Sequence, residues 1–204
     1  MNADIINNGI KYLSKDKNLL SLIEEFDTPI FNENFYYFID LSKTIIYQQL
    51  SGKVAKIIYT RYINLFKNKT PDPKFMLQIN YNDLRYIGLS KQKINYLINL
   101  SNYFIFNKNN VDFINYSDEK IKKDLIRIKG IGPWTIDMFL MFTLNRMDIL
   151  PVGDLGIKKG FQILFNLETL PSNTIMIEKA SIWKPYRTIA CCYLWKLVDD
   201  GDVW

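Results

Sequence analysis

The stretch Leu125-Ile-Arg-Ile-Lys-Gly-Ile-Gly-Pro-Trp-Thr-Ile136 indicates the fold of this 204-residue chain. An apolar helical segment ends at Ile128, two glycines permit a tight hairpin at residues 129–132, and Pro133 begins another helix, where its missing N–H is harmless. The first turn of that second helix points backbone N–H groups outward, so it suits an anion. Such a hairpin can hold a DNA phosphate without reading a base, although a plain packing corner between two helices has the same pattern.

Outside this hairpin, the chain repeats the same helical pattern. Apolar residues recur at helical spacing, and no hairpin signal flanks the β-like patch at residues 43–47, so we predict an all-α fold. The predicted segments are 10–26, 35–46, 50–65, 82–87, 91–104 capped by Ser90, 117–128 capped by Ser117, 133–143, 154–164, 172–183 and 185–198. The polar stretch 107–110 breaks the fifth of them.

The length allows one domain or two small lobes. We predict one domain over residues 1–204, built from two helical lobes at roughly 30–115 and 116–204. The packing of the N-terminal helix is left open at this point. A composition that is 48% hydrophobic and 23% charged is ordinary for a globular protein with a real core.

The absence of histidine excludes more chemistry than any other feature of the composition. No Ser-His-Asp triad, histidine general base or histidine metal ligand is possible. Two cysteines cannot supply the four thiolates of an ordinary zinc or iron–sulfur site. Because Cys191 and Cys192 are adjacent, we expect them to be unpaired, small and buried on a helix, as suits a reducing cytosol.

The net charge of +5 is compatible with an anionic partner, but lysine-rich composition can also reflect A+T-rich coding. The N-terminus lacks the basic and apolar regions of a signal peptide, and the most apolar run, residues 139–144, is too short to span a bilayer. We therefore expect no membrane partner and a cytoplasmic location, or a nuclear one in a eukaryote.

A second motif follows the hairpin. The loop Leu150-Pro-Val-Gly153 precedes Asp154, which stands 22 residues after Gly132. With the hairpin, this motif resembles the helix-hairpin-helix (HhH-GPD) DNA glycosylase superfamily, in which a loop containing Gly and Pro is followed by an essential aspartate. Further stretches resemble the 3-methyladenine DNA glycosylase II family over residues 35–198: Ile45-Ile-Tyr-Gln-Gln-Leu-Ser51, Leu84-Arg-Tyr-Ile-Gly-Leu-Ser-Lys-Gln-Lys93, Trp134-Thr135, Trp183-Lys-Pro-Tyr-Arg187 and Tyr193-Leu-Trp195.

The resemblance implies a two-lobed helical fold and a base-excision enzyme with Asp154 as its catalytic carboxylate. Asp154 is also a good helix N-cap, and both roles are compatible. Hydrolysis of an N-glycosidic bond builds positive charge on the sugar, which a fixed anion stabilises. Lyase members carry a lysine where this chain has Trp134, so the resemblance implies a monofunctional enzyme that leaves an abasic site. Its expected partner is duplex DNA containing alkylated bases, bound by a monomer.

The resemblance also implies roles for individual residues. The flipped base would lie in a pocket lined by residues at matching positions: Trp134, Trp195, Met138 and Leu155. Some relatives have tyrosines at the positions of Met138 and Leu155. Backbone phosphate would contact the following residues: Gly130, Gly132, Trp134 and Thr135. The gap left by the base would be filled from the 48–50 loop, which consists of Gln48, Gln49 and Leu50, and the sequence does not choose between Gln49 and Leu50 as the wedge.

No cofactor is expected for the reaction. Some hairpins of this kind hold a structural monovalent cation, Na+ or K+, through backbone carbonyls, which here would be those of Ile126, Ile128 and Gly130. Arg187 is expected to be a structural, ion-pairing residue.

Three other functions share parts of the pattern. The first is a glycosylase for oxidised or mismatched bases. The second is a non-catalytic DNA-damage-binding module that uses the same hairpin, against which the presence of Asp154 at the motif spacing argues. The third is a helical scaffold without affinity for DNA.

Overall fold

A computed structural model describes residues 3–31, 36–107 and 111–198. Every regular element in these ranges is helical, so the predicted all-α class is confirmed. Phe35, and residues 108–110 of the predicted helix break, lie outside the described residues. The helices are α1 (Ala3–Leu13), α2 (Lys17–Glu25), α3 (Tyr37–Tyr47), α4 (Gly52–Ile63), α5 (Pro73–Met76), α6 (Tyr81–Tyr86), α7 (Lys91–Phe106), α8 (Asp118–Leu125), α9 (Pro133–Met138), α10 (Leu155–Leu164), α11 (Asn173–Lys179) and α12 (Arg187–Val198). Short 3₁₀ or π-helical turns are formed by Lys67–Lys69, Phe139–Thr143 and Ala180–Trp183.

The chain divides into two compact units, but not at the predicted position. The first unit combines Met1–Asn34 with Leu140–Trp204, and the second is Phe35–Phe139. The predicted boundary at residues 115 and 116 is wrong because α8 packs on α9 and α9 packs on α3, so that residues 116–139 share a core with the preceding segment. The N-terminal helices, whose packing the sequence left open, belong with the C-terminal segment.

Helix α12 forms the centre of the first unit and packs against α10, α2 and α1. It is buried on nearly all sides, which explains why its sequence lacks an amphipathic pattern. Cys191 and Cys192 lie on it without a disulfide between them, as predicted, and burial raises the pKa of Cys192 to about 12. The cysteines therefore act as small packing residues.

The predicted N-terminal segment 10–26 is two helices rather than one. The break falls at Asp16, whose carboxylate accepts a hydrogen bond of 2.9 Å from the Asn18 N–H and so caps α2. The same carboxylate accepts a hydrogen bond of 2.7 Å from the indole N–H of Trp183, which is fully buried. Asp16 thus both starts α2 and ties it to the segment before α12.

In the second unit, α3 packs against α4, α7 and α9, while α5 and α6 pack against α7. Ser90 and Ser117 cap α7 and α8 as predicted, because their hydroxyl oxygens accept hydrogen bonds from the backbone N–H groups of Lys93 and Lys120. The apolar spacing of the segment 50–65 predicts a buried stripe of six residues, namely Leu50, Val54, Ile57, Ile58, Tyr62 and Leu65. Tyr62 is fully buried as predicted, but Leu50, Val54 and Ile57 are 37–46% exposed, and Ala55 faces the core in their place.

Within residues 3–31, 36–107 and 111–198, no helix has the length and apolar character needed to cross a membrane.

The close packing of α10 on α12 yields a first prediction. A Cβ added at Gly160 would lie 2.9 Å from the backbone oxygen of Leu194, whereas one at Gly153 meets nothing within 4 Å. We expect Gly160→Ala to destabilise the protein by roughly 1–2 kcal/mol despite its gain in helix propensity, because a backbone carbonyl of α12 cannot move aside. Thermal unfolding of both variants tests this expectation. Gly153→Ala should unfold like the unmodified chain, and equal stability of the two variants would contradict the packing argument.

Candidate functional site

The hairpin at residues 129–132 forms as the sequence predicts. Helix α8 ends at Leu125, and the chain turns through a hydrogen bond of 2.9 Å from the Ile131 N–H to the Ile128 carbonyl. Gly130 has a φ of +112°, a region that residues with a Cβ rarely adopt, and an added Cβ would overlap the ring of Tyr96. Glycine is therefore required here both for its conformation and for its small size.

Side chains from elsewhere in the second unit hold this hairpin. The Asn99 side-chain amide on α7 donates a hydrogen bond of 3.1 Å to the Lys129 carbonyl. The Gln48 side-chain amide donates two hydrogen bonds of 2.9 Å each, to the Gly130 carbonyl and to the Thr135 hydroxyl. Since Thr135 is 1% exposed, its hydroxyl belongs to this internal network.

The start of α9 has the geometry expected of the hairpin's second half. Gly132 is the N-cap and Pro133 is the first helical residue, as predicted. A Cβ added at Gly132 would meet nothing within 4 Å, so the space beside this residue is open. Backbone amides at this position can be approached closely by an anion.

Asp154 lies in the first unit as the N-cap of α10, which runs to Leu164 as predicted. Its Oδ1 accepts hydrogen bonds from the Ile157 N–H at 2.8 Å and from the indole N–H of Trp195 at 3.0 Å. A Cβ added at Gly156 would lie 2.9 Å from the Trp195 ring and 3.1 Å from Asp154 Oδ1. Gly156 thereby leaves room for the indole to reach the carboxylate.

The loop that leads to Asp154 is fastened to the start of α12. The Arg187 guanidinium pairs with the Asp148 carboxylate and donates a further hydrogen bond of 3.0 Å to the Asp148 carbonyl, so its predicted structural role is confirmed. The Thr188 hydroxyl donates to the Arg146 carbonyl at 2.6 Å and accepts from the Ile149 N–H at 3.1 Å. Helix α12 thus fixes both the approach to Asp154 and, through Trp195, the carboxylate itself.

The four predicted base-pocket residues are divided between the two units. Trp195 and Leu155 belong to the first unit, while Trp134 and Met138 belong to the second. Trp195 is 5% exposed and packs against Phe142 with a ring separation of 5.7 Å, whereas Leu155 is 55% exposed. Met138 is 1% exposed and Trp134 is half-buried. Their pocket roles stay predictions, although the contact between Trp195 and Asp154 adds a role that the sequence did not indicate.

The three carbonyls predicted to hold a cation lie at the end of α8 and in the hairpin. The Ile128 carbonyl accepts from Ile131 and the Gly130 carbonyl accepts from Gln48, so each of them retains one lone pair. Ile126 is 47% exposed. Oxygen donors of this kind suit a hard monovalent cation, and the existing hydrogen bonds are compatible with one.

Burial shifts the pKa values of two ionisable groups in the second unit. Burial raises the pKa of the Asp137 carboxyl on α9 to about 6, and the nearby Lys122 acts in the opposite direction. Burial also lowers the pKa of Lys93 on α7, whose ammonium donates a hydrogen bond of 2.6 Å to the Ile46 carbonyl. No sequence pattern singles out either residue.

The chain belongs to the HhH-GPD superfamily of base excision DNA repair proteins. Residues 42–185, more than half of the chain, match the model of that superfamily, which confirms the family predicted from the sequence. These residues include the 48–50 loop, the hairpin and Asp154.

Individual relatives agree with this assignment. DNA-3-methyladenine glycosylase 1 of Schizosaccharomyces pombe is 32% identical over 166 residues, which cover 80% of this chain and 73% of the relative. The solved structure of Schizosaccharomyces pombe 3-methyladenine DNA glycosylase in complex with abasic DNA has a TM-score of 0.84 and 29% identity, covering 93% of this chain and 95% of that one. A Bacillus subtilis relative is 31% identical over 166 residues, which cover 78% of this chain but 58% of the relative. The matched part of this chain therefore spans less than two thirds of that protein.

The two hairpin glycines should respond differently to the same substitution. Gly130→Ala places a Cβ in an unfavourable conformation against Tyr96, so we expect a stability loss of roughly 1–3 kcal/mol. Gly132→Ala should leave stability unchanged but weaken binding to duplex DNA by about tenfold, because the methyl group blocks approach to the backbone amides. Thermal unfolding and fluorescence anisotropy with a duplex oligonucleotide test the pair. Unchanged DNA affinity in Gly132→Ala would show that phosphate does not bind at this hairpin.

Proposed function

We propose that this chain is a monofunctional DNA glycosylase of base excision repair, which hydrolyses the N-glycosidic bond of alkylated purines of the 3-methyladenine type and leaves an abasic site. The observation that carries the proposal is the carboxylate of Asp154, held at the start of α10 by two hydrogen bonds to one oxygen. Relatives named as DNA-3-methyladenine glycosylases support the substrate class, and the solved relative bound to abasic DNA supports DNA as the partner.

The work of Asp154 is electrostatic. As the bond between the sugar and the base breaks, positive charge develops on the sugar carbon and the ring oxygen. A fixed negative charge beside that carbon stabilises the transition state, and a carboxylate can also accept a proton from the attacking water. The two hydrogen bonds to Asp154 set the position of the carboxylate before the substrate binds. The carboxylate therefore needs little reorientation during the reaction.

The leaving group explains why one carboxylate suffices. An alkylated purine already carries positive charge, so it departs as a neutral base without protonation by a strong acid. A chain with no histidine can therefore run this reaction. Trp134 stands where the lyase relatives have a lysine, so the sugar is attacked by water rather than by an amine.

DNA binding completes the proposal. The amides at Gly132 and the start of α9 hold a backbone phosphate, and the reacting base leaves the duplex to reach the aromatic pocket residues. A monovalent cation on the Ile126, Ile128 and Gly130 carbonyls would add positive charge near that phosphate. A monomeric state and a cytoplasmic or nuclear location are part of the same proposal.

Asp154→Asn is the direct test. Asparagine keeps the shape and the capping oxygen of Asp154 but removes the charge, so we expect the release of 3-methyladenine to fall by at least about 10³-fold. Affinity for duplex DNA should persist, because phosphate binds elsewhere. Chromatography of the bases released from methylated DNA measures the rate. Near-normal release by this variant would rule out Asp154 as the catalytic carboxylate.

Trp195→Phe tests the positioning of the carboxylate, with Trp183→Phe as its matched control. Both substitutions remove an indole N–H that donates to an aspartate within the first unit, at 3.0 Å for Asp154 and 2.7 Å for Asp16. Both variants should lose stability, by about 1–3 kcal/mol. Only Trp195→Phe should also lower the single-turnover rate, by roughly 10- to 100-fold, because its carboxylate is less well placed.

Rates are compared at a temperature at which both variants are folded, as circular dichroism shows. An equal loss of rate in the two variants would mean that the Trp195 hydrogen bond has only a structural role.

A further inference from the structure

The side chain of Gln48 faces into the protein, although the sequence assigns the residue to the DNA-contacting loop. Its amide nitrogen carries two hydrogens, and both are used, one by the Gly130 carbonyl and one by the Thr135 hydroxyl. The partners are 82 and 87 residues away along the chain. In this conformation Gln48 has no donor left for a base or a phosphate.

The backbone around Gln48 is held as well. Gln48 is the C-cap of α3, with its N–H donating to the Thr44 carbonyl at 3.1 Å. Two residues earlier, the Ile46 carbonyl accepts a hydrogen bond of 2.6 Å from the Lys93 ammonium. The base of the 48–50 loop is thus fixed by α7 and by the hairpin.

The tip of the loop has the opposite character. Gln49 is exposed and has a φ of +58°, a left-handed conformation that non-glycine residues seldom adopt. Leu50 follows with 37% of its surface exposed, and α4 begins at Gly52. A strained, exposed tip on a fixed base is a common arrangement for a side chain that must meet a ligand in one orientation.

We propose that Gln48 is a positioning residue, which couples the phosphate-binding hairpin to the loop that fills the gap left by a flipped base. The inference rests on the proposed function, because the gap exists only where a base has left the duplex. Insertion of a side chain into that gap costs less conformational entropy when the distance between the loop and the bound phosphate is fixed. Gln48 fixes it by bonding directly to Gly130 in the hairpin, and the tip residues Gln49 and Leu50 enter the gap.

The hairpin and the 48–50 loop depend unequally on the hydrogen bonds of Gln48. The hairpin has independent supports, namely the hydrogen bond from Asn99 to the Lys129 carbonyl and the contact of Tyr96 with Gly130. For the loop, the hydrogen bond from Lys93 acts on the Ile46 carbonyl, two residues before Gln48, and the tip residues Gln49 and Leu50 are exposed. Loss of the Gln48 amide should therefore disturb the loop more than the hairpin.

Gln48→Met in the full chain tests the proposal, because methionine keeps the length of the side chain and removes both donors. Anisotropy measures affinity for two duplexes that differ only by one abasic site. We expect the preference for the abasic duplex to fall by about tenfold, the equivalent of one or two hydrogen bonds, while affinity for the undamaged duplex changes by less than about twofold. Gln78→Met, the same change at an exposed glutamine of the second unit, should alter neither affinity.

Each other outcome overturns the proposal. An unchanged abasic preference in Gln48→Met would mean that the loop does not need the link. An equal loss of both affinities would mean that Gln48 merely supports the hairpin. If the unmodified chain binds the abasic duplex no more tightly than the undamaged duplex, the 48–50 loop does not fill a gap. Gln48→Glu, which replaces the donor by an acceptor at the same length, gives the same test if the methionine variant does not fold.

A separate measurement tests the proposed function itself. If that function is wrong, the unmodified chain releases no base from methylated DNA, whereas the affinity measurements require no reaction.

Discussion

The hydrogen bond from the Trp195 indole to the Asp154 carboxylate is the contact on which the proposed chemistry of this protein depends, and further contacts within the first unit hold it in place. A lone carboxylate on a surface loop would sample many orientations, and its charge would be screened by water. Here the carboxylate caps a helix, accepts a second hydrogen bond from a buried ring, and follows a loop that Arg187 and Thr188 hold to α12. The geometry is in place before any substrate arrives.

Two glycines of α10 make the position of Asp154 possible because they permit close packing against α12. Gly160 lets α10 approach the backbone of α12, and Gly156 leaves the space through which Trp195 reaches Asp154. A helix that is buried on nearly all sides can serve in this way because its neighbours restrain it from several directions. In the second unit Gly130 has the same function, since the hairpin can lie against Tyr96 only without a side chain. The surroundings of Asp154 in the first unit and the hairpin in the second unit are therefore each built on close backbone packing.

Features encoded by neighbouring residues were predictable from the sequence. The hairpin, the caps Ser90, Ser117 and Asp154, and Pro133 at the start of α9 all follow from residues within a few positions of one another. Contacts between distant residues were not predictable. Trp195 is 41 residues from Asp154, and Gln48 is 82 residues from Gly130, so no local pattern reveals either pair. The apolar spacing in α4 was misleading because Ala55, a small residue, marks the face that packs. The break at Asp16 was missed although an aspartate N-cap was there to be recognised.

The proposed reaction needs a single well-placed carboxylate because the departing base is already cationic. Mass spectrometry of the bases freed from methylated duplex DNA by the unmodified chain is its direct test. We expect 3-methyladenine in the supernatant, with an equal number of abasic sites in the DNA and no strand cleavage by the protein. Release of 8-oxoguanine from oxidised DNA with no base freed from methylated DNA would contradict it, as would binding to damaged DNA without any abasic product.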